Sequence, residues 1–217
     1  MLDNTIITST QSSIPKYEKS LLLVLCGVIA PPVLIAAIIV GALITPGYSH
    51  LTETISQLSS QDSLHPGLMT TGFITYGLLM IGLAFEFGRS LRPHRHARIV
   101  RILLIIHGIG LLLGGILRSD PTAVQVVRTP VGIMHTGSVF FGCLALVFGI
   151  FMFARIKSNK KEWRAFVKFS FVIISIVLFV FFMAQLPLAD HINGLLQRLY
   201  VTPALLWVEL VSIRYLL

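Results

Sequence analysis

Residues 20–44 read SLLLVLCGVIAPPVLIAAIIVGALI and contain no charged side chain. A helix needs about 20 mostly apolar residues to cross the hydrocarbon core of a bilayer. This run is too long for the apolar region of a signal peptide, and the residues before it, Met1 to Tyr17, are mostly polar. The run therefore predicts a retained first transmembrane helix, which Pro31 and Pro32 are expected to kink.

Five further stretches of the chain meet the same length requirement. They run from about Gly67 to Phe87, Ile99 to Leu117, Pro130 to Phe153, Ala165 to Leu186 and Gly194 to Tyr215. The composition agrees, because 12% of the residues are charged, whereas soluble domains average about 25%. The sequence predicts an all-α polytopic membrane protein with a polar tail over residues 1–19 and one six-helix transmembrane domain over residues 20–217.

The placement of Lys and Arg predicts the orientation of this bundle. If the six helices alternate in direction, 14 of the 17 cationic residues fall on one side, and only Arg118, Arg128 and Arg198 fall on the other. Cytoplasmic loops carry such an excess of Lys and Arg. We therefore expect a multi-pass protein of the cell membrane with both termini in the cytoplasm. Its partner is the lipid bilayer, and the net charge of +8 reflects orientation rather than nucleic-acid binding.

The first outer connection, residues 48–62, contains no Lys or Arg. Apolar side chains recur in it at helical spacing, at Tyr48, Leu51, Ile55 and Leu58. Ser49 is a suitable N-cap. The pattern predicts a short amphipathic helix that lies at the outer interface or folds over the mouth of the bundle. A polar loop of weak helicity is the alternative.

Polar side chains gather at the expected outer end of the bundle, and ionisable groups within membrane segments commonly mark function. Within about two helical turns of the outer face lie Asp120, Arg128, His135, Gln185, Asp190, His191, Gln197 and Arg198, and the outer loop adds His50, Ser56 and His65. A water-filled outer cavity would explain how the bundle accommodates these side chains.

An enzyme is the first interpretation of this cluster. His135 would act as a base oriented by Asp120, with Ser56 as the nucleophile. Side chains that would hold an anionic or polar substrate are Arg128, His191, Gln197 and Arg198. A metal site is a variant of this interpretation, with His50, His65, His135, His191 and Asp120 as the possible ligands. No His-x-x-x-His or His-Glu-x-x-His spacing supports it, so no metal ligands are assigned, and the residues do not identify a cofactor.

Two other interpretations stay open. In a transport, lipid-binding or accessory protein, Arg198 and Arg128 would receive an anion or headgroup, and His107, Glu86 and Glu209 would relay protons. In a purely structural interpretation, Asp120 and Arg198 would form a buried ion pair, and His135 would be a hydrogen-bonded core histidine.

Four short strings occur in a characteristic order. Thr54-Ile55-Ser56-Gln57-Leu58 follows the first helix, Ser119-Asp120-Pro121 the third, Gly132-Ile133-Met134-His135 opens the fourth, and Leu196-Gln197-Arg198-Leu199 opens the sixth. In this order the chain, from about Ser20 to Tyr215, resembles the bacterial and archaeal membrane family known as domain of unknown function 998.

The resemblance implies a compact multi-helix membrane bundle whose polar family positions match Ser56, Asp120, His135 and Arg198. Gln57 stands where many members are expected to carry Glu. The Ser, Asp and His set is also similar to that of membrane hydrolases such as the alkaline ceramidases, although this chain lacks their paired histidines on a late helix. We therefore expect a polar outer pocket that acts on a lipid or amphiphilic substrate, with hydrolysis as the reaction.

Overall fold

The computed structural model describes residues 19–121, 129–186 and 191–217, which form six α-helices and two short 3-10 helices. The α-helices are α1 Leu21–Ile44, α2 Pro66–Ser90, α3 Ala97–Ile116, α4 Pro130–Lys157, α5 Arg164–Met183 and α6 Asn193–Leu216. Each is long and apolar enough to cross a membrane, so the prediction of six transmembrane helices is confirmed. Pro130 takes the first position of α4, where its missing N–H leaves no carbonyl unpaired.

The helices form a closed ring in chain order. Each helix packs against the next one along the chain, and α6 packs back against α1. The α2–α3 and α4–α5 connections, which are rich in Arg and Lys, meet at one end of the bundle, the basic end. The α1–α2 connection and the described residues of the α3–α4 and α5–α6 connections lie at the opposite end, called the pocket end after the cavity between them.

The contact between α3 and α4 depends on glycine. A methyl group placed on Gly110 would lie 2.6 Å from the carbonyl oxygen of Ser138 and 2.8 Å from the Cα atom of Gly142. A side chain has no room there, and small residues at such positions let two membrane helices touch through their backbones. This close approach brings the first turns of α4 against the last turn of α3.

The α1–α2 connection folds into the mouth of the bundle rather than lying flat at its edge. Its helix is a 3-10 helix, Ile55–Ser59, that is shorter than the predicted amphipathic helix and begins after Thr54 instead of Ser49. The reason is a capping box: Gln57 Oε1 accepts from the Thr54 N–H at 2.6 Å, and the Thr54 side chain accepts from the Gln57 N–H. Ile55 and Leu58 are consequently buried against α1, α2 and α6.

Candidate functional site

A cavity of about 730 Å³, called the polar cavity, lies at the pocket end. Its walls come from the α1–α2 connection, the residues that follow α3, the first half of α4, the end of α5 and the start of α6. The polar and ionisable side chains of the lining include Glu53, Thr54, Ser56, Gln57, Asp120, His135, Gln185, Asn193 and Gln197. The three predicted catalytic residues, Ser56, Asp120 and His135, therefore line one cavity.

His135 lies in the second turn of α4 and is only 2% exposed. Its Nδ1 atom lies 2.9 Å from the carbonyl oxygen of Gly114 and 2.7 Å from that of Leu117, at the end of α3. Carbonyls only accept, so Nδ1 carries the proton and Nε2 is an acceptor in the neutral ring. Nε2 is buried and, among the described residues, has no hydrogen-bond partner.

Asp120 lies at the N-terminus of α4. Its carboxylate accepts from the backbone N–H of Thr129 at 3.1 Å and from the Thr129 hydroxyl. Thr129 in turn is the N-cap residue of α4 and accepts from the Gly132 N–H at 3.0 Å. A carboxylate at a helix N-terminus is stabilised by the unpaired N–H groups and the helix dipole. Asp120 therefore supports the start of the helix that carries His135, whose Nδ1 partners are carbonyls and not this carboxylate.

Ser56 lies in the 3-10 helix where that helix enters the cavity. Its carbonyl oxygen accepts from the hydroxyl of Ser119 at 2.8 Å and from that of Ser59 at 2.9 Å. The bond from Ser119 ties the 3-10 helix to the segment that follows α3, and the bond from Ser59 lies within the 3-10 helix, so the backbone of Ser56 is held in place. Its side chain belongs to the lining of the cavity.

Gln197 and Arg198 fix the α1–α2 connection to α6. The side-chain oxygen of Gln197 accepts from the Ile55 N–H. The Arg198 guanidinium donates to the carbonyl oxygens of His50, Glu53 and Gly194 at 3.1, 2.9 and 2.7 Å, and to the Tyr48 hydroxyl at 2.6 Å. Burial raises the pKa of the Tyr48 phenol, although the adjacent Arg198 cation acts to lower it.

These contacts exclude the ion pair that the structural interpretation assumed. Asp120 binds Thr129 at the start of α4, whereas Arg198 binds the α1–α2 connection. Gln197 lines the cavity, whereas Arg198 does not and instead donates to the α1–α2 connection, which forms one of the cavity walls. Their substrate-binding role stays a prediction.

The remaining predicted side chains that the structure describes do not line the cavity. His191 is exposed at the start of the segment that leads into α6, and it does not line the cavity. Arg128 and Asp190 lie outside the described residues. His50 and His65 are exposed, and no group of three His, Cys, Asp or Glu side chains within the described ranges has the geometry to hold a metal ion.

Sequence reasoning missed Asn193, Thr136 and Tyr200 as lining residues. Asn193, Gln197 and Tyr200 recur at positions i, i+4 and i+7 of α6, and this spacing places them on one helix face. Because Gln197 was a predicted site residue, this spacing could have identified Asn193 and Tyr200 from the sequence. Thr136 had no such signal, because its place in the wall depends on how α4 is turned against α3.

A second, smaller cavity of about 70 Å³ lies on the axis of the bundle and is called the axis cavity. All six helices contribute to its lining, which is almost entirely apolar. His107 lies in this lining with both ring nitrogens in hydrogen bonds, 3.0 Å from the Tyr76 hydroxyl and 3.0 Å from the Gly142 carbonyl oxygen. His107 is therefore a satisfied core histidine.

Comparison with known proteins gives one match. The model of the family described as "Protein of unknown function (DUF998)" matches residues 28–214, which is most of the chain. No curated protein and no solved structure matches the chain. The six-helix bundle and this family match lead to one conclusion: the chain is a membrane protein that belongs to the DUF998 family.

Proposed function

We propose that this protein binds a membrane amphiphile with its headgroup in the polar cavity, and that His135 acts there as a general base in hydrolysis. The observation that carries the proposal is the buried, unpartnered Nε2 atom of His135 in the wall of that cavity. In keeping with the distribution of Lys and Arg, the pocket end faces outward and both termini face the cytoplasm.

The Nε2 atom of His135 needs a donor. A buried acceptor without a partner costs about 1–3 kcal/mol, and a ligand hydroxyl, amide or bound water in the cavity would remove that cost. The two carbonyl oxygens hold the proton on Nδ1, so Nε2 keeps its lone pair in the neutral ring. This is the protonation state that a general base requires.

The proposed reaction is the hydrolysis of an ester or a related acyl bond. An oxygen nucleophile, either water or the Ser56 hydroxyl, attacks the acyl carbon while His135 Nε2 takes its proton. The bond to the leaving alcohol then breaks, and His135 returns the proton to that alcohol. With Ser56 as the nucleophile, water releases the acyl group from the enzyme in a second round of the same proton transfers. Either route converts ester and water into acid and alcohol.

Non-catalytic binding of the same amphiphile is the second candidate. The hydrogen bonds in the cavity wall favour this candidate. The side-chain oxygens of Gln57 and Gln197 already accept from backbone N–H groups at the start of the 3-10 helix, so these two side chains have a structural role. Proton-coupled transport is not proposed. Such a function needs a polar path past His107, and that side chain has both nitrogens occupied in an apolar lining.

The test uses the full-length protein in lipid nanodiscs with 4-methylumbelliferyl octanoate as the probe. His135→Asn is the decisive variant, because its amide N–H replaces the Nδ1 donor while no group replaces Nε2. We expect a loss of hydrolysis of about 100-fold or more with an unchanged melting temperature. His65→Asn, at an exposed histidine of the same end, is the control and retains the full rate. Equal rates in wild type and His135→Asn rule out the catalytic role. Binding of the probe without turnover supports the second candidate, non-catalytic binding of the amphiphile.

A further inference from the structure

The axis cavity adjoins the polar cavity. The two share five lining residues, Ser56, Val139, Cys143, Gln197 and Tyr200. From this junction the axis cavity continues between apolar side chains such as Leu34, Leu111 and Leu205. A polar space therefore adjoins an apolar one. This arrangement suits an amphiphile, whose headgroup would lie in the polar cavity and whose chain would lie in the axis cavity.

Among the residues that the structure describes, the ring of helices has a notch beside this junction. The rings of Phe140 on α4 and Phe181 on α5 lie 5.7 Å apart, at matching heights of roughly 25 Å from the basic ends of their helices. Beyond this pair α4 continues to Pro130, on the order of 15 Å further, whereas α5 ends at Met183 after about 3 Å. The first half of α4 consequently extends past the end of its neighbour.

Few of the described side chains around the notch are buried. No residue of α5 beyond Val177 is buried, and Thr136 and Phe140 of α4 are exposed although both line the polar cavity. Phe181 also lies 5.6 Å from the ring of Tyr200. The rings of Phe140, Phe181 and Tyr200 thus form a row at the edge of the notch, called the aromatic sill. Tyr200 lines both cavities.

We propose that the axis cavity binds the end of a single hydrocarbon chain, which enters sideways from the bilayer through the notch and over the Phe140–Phe181 pair. The proposal rests on the proposed function for the position of the headgroup in the polar cavity. An apolar void has no atoms on its inner side, so its lining loses dispersion contacts that a chain restores. A volume of about 70 Å³ is about half that of a cavity that holds one benzene ring, so it has room for about three methylene groups, which is the end of one chain.

The experiment is photolabelling in nanodiscs with decanoic acid that carries a diazirine near its terminal carbon. Peptide mass spectrometry then locates the labelled residues. We expect label on axis-cavity residues such as Leu111 and Leu205, and a loss of at least fivefold when Ala204→Leu or Ala204→Phe narrows the cavity. Leu206→Phe, on the exposed face of α6, is the matched control and keeps the label. Melting temperatures of all variants identify any that fail to fold, and the smaller Ala204→Leu change keeps the test valid if Ala204→Phe does not fold.

Two further measurements separate this proposal from the proposed function. His135→Asn should keep the label in the axis cavity although it loses hydrolysis. Phe140→Ala should open the sill and raise the rate of labelling at least threefold, whereas Phe148→Ala, on the exposed surface of α4, should not. Label confined to outward-facing residues, or label that Ala204→Leu does not reduce, overturns the proposal. Axis-cavity label in a protein without hydrolytic activity supports the chain site and counts only against catalysis.

Discussion

The Nδ1 atom of His135 lies 2.7 Å from the carbonyl oxygen of Leu117, the residue that ends α3. One side chain thereby satisfies a carbonyl that a helix C-terminus leaves unpaired and fixes its own tautomer. Nδ1 thus joins α3 to α4, as the structural interpretation of this histidine expects, and it leaves Nε2 without a partner among the described residues.

Replacement of Ser56 tests the nucleophile. We expect Ser56→Ala to reduce hydrolysis of 4-methylumbelliferyl octanoate by about 100-fold or more and to abolish covalent labelling by a fluorophosphonate. The backbone of Ser56 should stay in place, because its hydrogen bonds to Ser59 and Ser119 use the carbonyl oxygen. Ser63→Ala serves as the control. An unchanged rate in Ser56→Ala would assign the attack to water instead.

Asp120 should affect stability more than chemistry. Asp120→Ala removes the acceptor for both Thr129 donors, and we expect a loss of about 1 kcal/mol of unfolding free energy, measured by thermal unfolding in detergent. Asp120→Asn keeps one acceptor oxygen and should cost less. If Asp120 oriented His135 directly, Asp120→Asn would shift the pH profile of hydrolysis. We expect the profile to stay unchanged, because the Nδ1 partners are Gly114 and Leu117.

Hydropathy alone predicted the six helices to within a few residues. A helix that crosses a bilayer needs an apolar run of a minimum length, and such a run can be read directly from the sequence. Hydropathy could also place Ser56, Asp120 and His135 at one end of the bundle. It could not show that Arg198 holds Tyr48 and the carbonyls of residues far along the chain. Such partners depend on the rotation of each helix about its axis and on the path of the connections, and neither has a periodic signal.

Arg198 is expected to stabilise the α1–α2 connection. Arg198→Lys keeps the charge but loses the planar fork that reaches several carbonyl oxygens at once. We expect a loss of about 1–3 kcal/mol in unfolding free energy and faster proteolysis between residues 48 and 54. Arg118→Lys, at an exposed position of the same end, should change neither measurement. Wild-type stability of Arg198→Lys, with weaker binding of an anionic probe, would favour the predicted substrate-binding role instead.

The orientation of the bundle can be measured with single cysteines in a chain that lacks Cys26 and Cys143. Gln61→Cys lies at the pocket end, and Asn159→Cys lies at the basic end, both at exposed positions. We expect a membrane-impermeant maleimide to label Gln61→Cys in intact cells and Asn159→Cys only after permeabilisation. The reverse pattern would place the cavity on the cytoplasmic side and exclude an outward-facing pocket.

Gln57 offers a test of why a carboxylate is expected at this position in related chains. Its side-chain oxygen accepts from the Thr54 N–H at 2.6 Å, and Glu completes the same capping box as Gln. We therefore expect Gln57→Glu to change the unfolding free energy by less than about 0.5 kcal/mol, and Gln57→Ala to lower it by about 1 kcal/mol, in thermal unfolding of the purified protein. The hydrolysis rate should be the same in Gln57→Glu and wild type, because the side chain is turned to the backbone of its own helix. A rise of tenfold or more in Gln57→Glu would show instead that the acid takes part in the chemistry, since the cap alone has no reason to alter the rate.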